Sequence, residues 1–275
     1  MNVATRWSQA LGMAVLLGLV AFVIFGPLAN LFLWAFAEKW YFPNRIPQEF
    51  GLSFWGRVFS PRGNALASLG TSVWIALLTV ALSLAVAIPA GFALARLKLR
   101  WRGLILLAFL LPQAVPNLPV YVNIARVFYE IGLNGTVLGV VLVHASHGLV
   151  LAVWIASAAF ASVDPSLEEA ARITGASWSQ TIAKILLPLS RSGLIVAFLL
   201  VFIPALGELS ATILLYSSGL ETIAVAIFRL NDLGQLEVVA ALAVFTTAVI
   251  LAVSLALHWL ADRTSTGVAT EMQAR

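Results

Sequence analysis

Residues 164–188 read DPSLEEAARITGASWSQTIAKILLP, a long polar interruption in the C-terminal half of the chain. Asp164 before Pro165 is a helix N-cap followed by proline at the first helical position. Ser166 with Glu169 offers a competing capping box. Glu168 to Arg172 are good helix formers, and Gly175 ends the helix as glycine does just past a C-cap. Ser177 with Gln180 is a second capping box. Trp178, Thr181, Ile182, Ile185 and Leu186 follow at i, i+3, i+4, i+7 and i+8, one apolar face. Pro188 is expected to stop this second helix. Two short helices thus meet at a glycine, and one carries an apolar stripe. Such a stripe outside a bilayer calls for a partner surface.

Outward from this stretch the chain turns apolar on both sides. Of its 275 residues, 61% are hydrophobic and 10% are charged; a soluble domain is nearer half apolar and a quarter charged. This composition excludes an ordinary cytosolic enzyme, a nucleic-acid-binding module and a disordered chain. A spanning helix needs about 20 apolar residues. Six such runs stand out, at 11–37, 69–97, 104–128, 136–160, 193–215 and 238–260. Lys39 and Glu38 close the first, which is too long for a signal-peptide core. Asp262 and Arg263 close the last. The expected fold is all-α, six transmembrane helices, with the two-helix loop at 161–192 between the fourth and fifth.

Basic residues favour the cytoplasmic side. With the N-terminus inside, ten of the sixteen Lys and Arg residues lie inside. These are Arg6, then Arg96, Lys98, Arg100 and Arg102, then Arg172, Lys184 and Arg191, then Arg263 and Arg275. The dense cluster at 96–102 reads as a topology anchor. N-in, C-in is the expected orientation. The polar loop at 38–68 then lies outside. Within it Phe50, Leu52, Phe54, Trp55, Val58 and Phe59 suit either a short interfacial helix or a packed loop. The chain has no cysteine, so thiolate chemistry and disulfides are absent.

Glu169, Ala170, Ala171, Gly175, Ile185, Leu187 and Pro188 fit the spacing E-A-A, three residues, G, nine residues, I, one residue, L-P. This resembles the EAA loop of the permease subunits of bacterial binding-protein-dependent ABC importers. The resemblance covers roughly 65–260. Within it, 72–96 resembles the family's second span. Residues 111–136, with Pro112, Pro116 and Pro119, resemble its proline-broken third. The resemblance implies one transmembrane domain over 1–275 that forms half of a pore in the inner membrane. It also implies two separate ABC ATPase subunits, a second permease copy or homologous permease, and an extracytoplasmic substrate-binding protein. Glu169 would contact the ATPase, Ala170 and Ala171 would allow close approach, and Gly175 would make the turn. A side chain at Gly175 is expected to meet both a left-handed penalty and a clash. The chain holds no G-x-x-x-x-G-K-[ST] loop, so it is expected to be no enzyme, without cofactor or metal, its energy coming from another chain.

Charge inside a bilayer costs about 2.5–3.5 kcal/mol at the centre and marks functional suspects. Glu208 in the fifth run is the foremost, with Ser210 and Thr212 beside it and Pro116 in the broken third. These four are the candidate pathway residues. Glu208 suits equally an interfacial bend bonded to its own domain. His144 and His147, three apart, are better read as interhelical hydrogen-bonding groups than as a metal pair. Residues 207–212 and Glu221-Thr222 resemble ferric-iron-type permeases and their polyamine and oxyanion relatives, and differ from the sugar permeases. An ion-gradient-driven secondary transporter is the alternative; it calls for an internal inverted repeat, and none is visible.

Overall fold

The computed structural model describes residues 3–61, 63–215 and 220–273, with side chains for 11–61, 63–215 and 220–259. The side chains of Arg6, Arg62, Asp262, Arg263 and Arg275 lie outside the described residues. The elements are α1 (Val3–Phe36), β1 (Ala37–Lys39), β2 (Glu49–Phe50), α2 (Ser53–Val58), α3 (Ala65–Arg96), α4 (Arg102–Ala114), α5 (Asn117–Glu130), α6 (Val137–Ala161), α7 (Pro165–Ile173), α8 (Trp178–Thr181), a π turn (Ile182–Leu186), α9 (Leu187–Gly207), α10 (Ser210–Leu215), α11 (Ile223–Asp232) and α12 (Leu236–Gln273). Among the described residues, five helical stretches are long and apolar enough to cross a membrane. They are Leu11–Phe36, Ala65–Arg96, Val137–Ala161, Trp178–Gly207 and Leu236–Trp259. The pair α4 and α5 makes a sixth if it crosses as one broken span.

That pair is where the expected third span departs from a straight helix. It bends by 91°. Val115 is extended (φ −94°, ψ 135°) because the ring of Pro116 disfavours the helical region for the residue before it. Pro116 then leads α5 at φ −54°.

The fifth span also differs from expectation, at both ends. Pro188 does not stop the second loop helix; the chain stays helical from Trp178 to Gly207. A proline in a helix removes one hydrogen bond and clashes with the carbonyl four residues back. The π turn over Ile182–Leu186 widens the coil just ahead of Pro188 and relieves that clash. At the other end the helix stops at Gly207 rather than near 215, because Glu208 is extended (ψ 114°).

The chain forms two compact units. One comprises Met1–Ala65 and Ile227–Ala248. Here the outer loop adds a small antiparallel ribbon to the all-α plan, with Ala37 paired to Phe50 and Lys39 to Glu49. The loop packs on its own unit: Trp55 Nε1 donates to the Ala35 carbonyl at 2.9 Å, and Val58 is fully buried. Phe50 and Leu52 remain exposed. The other unit comprises Leu66–Ala226 and Val249–Arg275 and holds both candidate sites. Its core joins α3, α6 and α9 through Ala76, Val80, Ala152, Val153, Val201 and Phe202. Glycines let these helices approach closely, as small residues do where lipid supplies no hydrophobic drive. A Cβ on Gly91 of α3 would lie 2.7 Å from Ala156 Cβ of α6, and one on Gly193 of α9 would overlap Ala159.

Candidate functional site

The loop between α6 and α9 is built by its caps. Asp164 Oδ1 accepts the Ser166 amide at 2.9 Å and starts α7; Ser166 does not form the competing box. Gly175 sits at φ +83°, the left-handed region that glycine enters without strain. Nothing lies within 4 Å of where its Cβ would be, so the expected clash is absent and only the backbone penalty remains. Ser177 and Gln180 form the reciprocal capping box.

The stripe on the second helix turns inward only in part, with Trp178 still 51% exposed. Leu186 and Thr181 are buried, and Ile182 and Leu187 pack with Phe92, Phe160 and Val163. Trp178 meets the edge of Phe92 at 5.2 Å between ring centroids. The inward part of the stripe therefore has its partner surface on its own unit, at the ends of α3 and α6. What the loop exposes is the outer side of α7. Glu169, Ala170 and Arg172 are exposed, and Ile173 is 86% exposed. Ala171 is buried, and Ile185 and Pro188 are half-buried.

One contact was missed in the sequence. Arg96, read as a topology anchor, turns back from the end of α3 to Glu168 of α7. Its Nε lies 2.5 Å from Glu168 Oε1, with the two side chains 13% and 14% exposed. Its Nη2 donates to the Val163 carbonyl at 2.8 Å. Seventy-two residues separate the pair, and a charge pattern on one helix cannot reveal a partner so remote.

The second candidate site is a cavity of about 230 Å³ bordered by α4, α5, α6 and α9. Its polar lining is Gln113, Asn117, Tyr121, His144, His147 and Glu208. Glu208 stands in the bend after α9, and its Oε1 accepts the Ala211 amide at 2.9 Å, capping α10. Glu208 thus lies in a bend, bonded to its own unit, and lines the cavity. Thr212 is buried behind it and joins His144 Nε2 at 3.0 Å. Ser210 is exposed and Pro116 forms the break, neither in the cavity wall. His147 Nε2 meets Asn117 Oδ1 at 2.8 Å, and its Nδ1 meets the Tyr121 hydroxyl at 3.4 Å. The histidines are interhelical hydrogen-bonding groups, as their sequence context suggests. Gln113, Asn117 and Tyr121, four residues apart in turn, escaped the sequence reading because the 91° break takes them off any single helical face.

The profile of the family described as "Binding-protein-dependent transport system inner membrane component" matches residues 87–266, spanning the loop and the cavity. The chain belongs to this family. Among relatives, the putative 2-aminoethylphosphonate transport system permease protein PhnV of Salmonella paratyphi A is 28% identical over 89% of this chain and 92% of its own length. The maltose/maltodextrin permease MalG of Vibrio vulnificus is 34% identical over 59% of this chain. The trehalose permease SugB of Mycobacterium tuberculosis is 33% identical over 54%. These two matches span only 56% and 54% of the relatives' own lengths. The expected distance from sugar permeases is therefore not seen in overall similarity. The fold is that of a chain in a bacterial ABC transporter involved in alginate import, at TM-score 0.68 and 20% identity over 94% of this chain and 97% of that one. A chain of the MetNI methionine ABC transporter matches at TM-score 0.58 and 14% identity, over 72% and 95%. The family is one of inner-membrane transport components, and its membership does not favour the ion-gradient alternative.

Proposed function

We propose that this chain forms one half of the translocation pore of an ATP-driven solute importer, and that the 161–192 loop carries force to the pore from a separate ATPase. The observation behind this reading is the loop itself. Its two capped helices turn at Gly175 and leave Glu169 and Ile173 exposed, while its other face is packed on the ends of α3 and α6. A push on the exposed face therefore has a packed route into two spans. The unbroken helix from Trp178 to Gly207 provides a further route, leading directly to Glu208.

The assembly then needs two ABC ATPase subunits inside, a second permease copy or homologue to complete the pore, and a substrate-binding protein outside. A solved relative has such an external partner: an alginate ABC transporter was crystallised with its ligand-bound periplasmic protein. Glu169, Ala170 and Gly175 make the ATPase contact, with buried Ala171 and Ile185, Leu187 and Pro188 behind them. Glu208 borders the path, with Thr212 buried behind it and Ser210 and Pro116 at its bends. The solute is a small charged one, of the ferric-iron, polyamine or oxyanion kind.

The test is reconstitution with the neighbouring ATPase and binding protein. Glu169→Lys and Gly175→Leu should abolish substrate-stimulated ATP hydrolysis and uptake. Normal coupling in both variants would remove the coupling role.

A further inference from the structure

The Thr212 hydroxyl has one proton, and it goes to the Glu208 carbonyl at 2.9 Å. Toward His144 this hydroxyl is therefore an acceptor, and the imidazole Nε2 must be the donor at 3.0 Å. In a neutral imidazole the other nitrogen is then a lone-pair acceptor. His144 Nδ1 is that acceptor, buried and without a partner. His147 has both ring nitrogens engaged. Asn117 Oδ1 accepts from its Nε2, so its Nδ1 takes the Tyr121 hydroxyl proton. Neither imidazole has an N–H to spare. Glu208 spends one contact on the Ala211 amide, and among the described residues it has no ion-pair partner.

The wall thus holds one carboxylate with no opposing cation among the described residues, while His144 Nδ1 is buried away from the open space of the cavity. Such a lining selects a ligand that brings protons and positive charge. An anion approaching Glu208 end-on is repelled. A metal ion is poorly served, since among the described residues no three His, Asp or Glu converge. The cavity, about 230 Å³, has room for a small solute.

We infer that this cavity binds the protonated amine of a small solute, with Glu208 as its charge partner. This rests on the proposed reading of the chain as a pore half. It narrows the solute to an amine-bearing one, whether a polyamine or an aminoalkyl oxyanion that enters amine first.

The experiment uses the full chain in lipid nanodiscs at pH 7, titrated with labelled putrescine, 2-aminoethylphosphonate and ethylphosphonate. The two amines should bind, and ethylphosphonate at least tenfold more weakly. Glu208→Gln should weaken amine binding tenfold or more, and Glu208→Asp should retain part of it. Equal binding of the phosphonate with and without its amine overturns the inference, as does undiminished amine binding by Glu208→Gln or no amine binding by the wild type. If Glu208→Gln fails to elute as an intact particle, the three probes on the wild type still decide. Loss of coupling in the Glu169 variant together with amine-independent binding leaves the importer reading standing and removes this one. Amine binding together with normal coupling in that variant does the reverse.

Discussion

Arg96 and Glu168 show how much a single pair can hold. Each is nearly enclosed, so removing one strands the charge of the other, at a cost of about 3 kcal/mol, the low end for buried pairs. Arg96→Gln should lower the thermal midpoint of the detergent-solubilised protein, and the swap Arg96→Glu with Glu168→Arg should restore part of it. Gly175 and Gly193 should separate two kinds of glycine. Gly175→Ala pays only the left-handed penalty, about 1–2 kcal/mol, since its surroundings are open. Gly193→Leu drives a side chain into Ala159 and should fail to give a folded particle. Scanning fluorimetry distinguishes the two outcomes. Asp164 carries a pH dependence. The Ser166 amide that donates to its carboxylate, with Arg96 nearby, holds its pKa below the ordinary 3.8. A depressed carboxylate pKa adds stability that is present above the unfolded value and lost as pH falls through the folded one. Amide exchange at Ser166 should therefore quicken only in that acid range, and at neutral pH only in Asp164→Ala.

At the scale of elements, the π turn ahead of Pro188 sets the register of the stripe. It holds one residue more than an α turn would. With Pro188→Ala the reason for it is gone, and the segment should relax to α-helix with a gain in local helix propensity. One residue of slip rotates the preceding stripe by about 100°, turning Leu186 off Phe160 and Val163. A cysteine at Leu186 in this cysteine-free chain should then react with maleimide in the Pro188→Ala background and stay protected without it. A cysteine shielded in both would show that packing, not proline, holds the π turn.

At the scale of the whole molecule, the number of crossings depends on α4 and α5. If the bent pair spans the bilayer, the segments before and after it lie on opposite sides. Leu99→Cys and Ile131→Cys, at the two exposed ends, should label from opposite faces of sealed vesicles. Labelling from the same face would make the pair a re-entrant loop and the chain one with five crossings.

The apolar runs, the caps at Asp164 and Ser177 and the turn at Gly175 were legible in the sequence. Each is a local matter: propensity, period and backbone conformation act over a few residues, and burial in lipid enforces helix wherever a run is long enough. The tertiary structure alone decided three things. It turned Thr181 and Leu186 of the stripe inward, because the ends of α3 and α6 supplied a surface that periodicity cannot locate. It carried the helix through Pro188 and ended it at Glu208. It also brought Gln113, Asn117 and Tyr121 to His144, His147 and Glu208 across a 91° break, and Arg96 to Glu168 across 72 residues. Contacts made across such separations depend on how the helices cross, and crossing geometry is set by packing rather than by any one segment's composition.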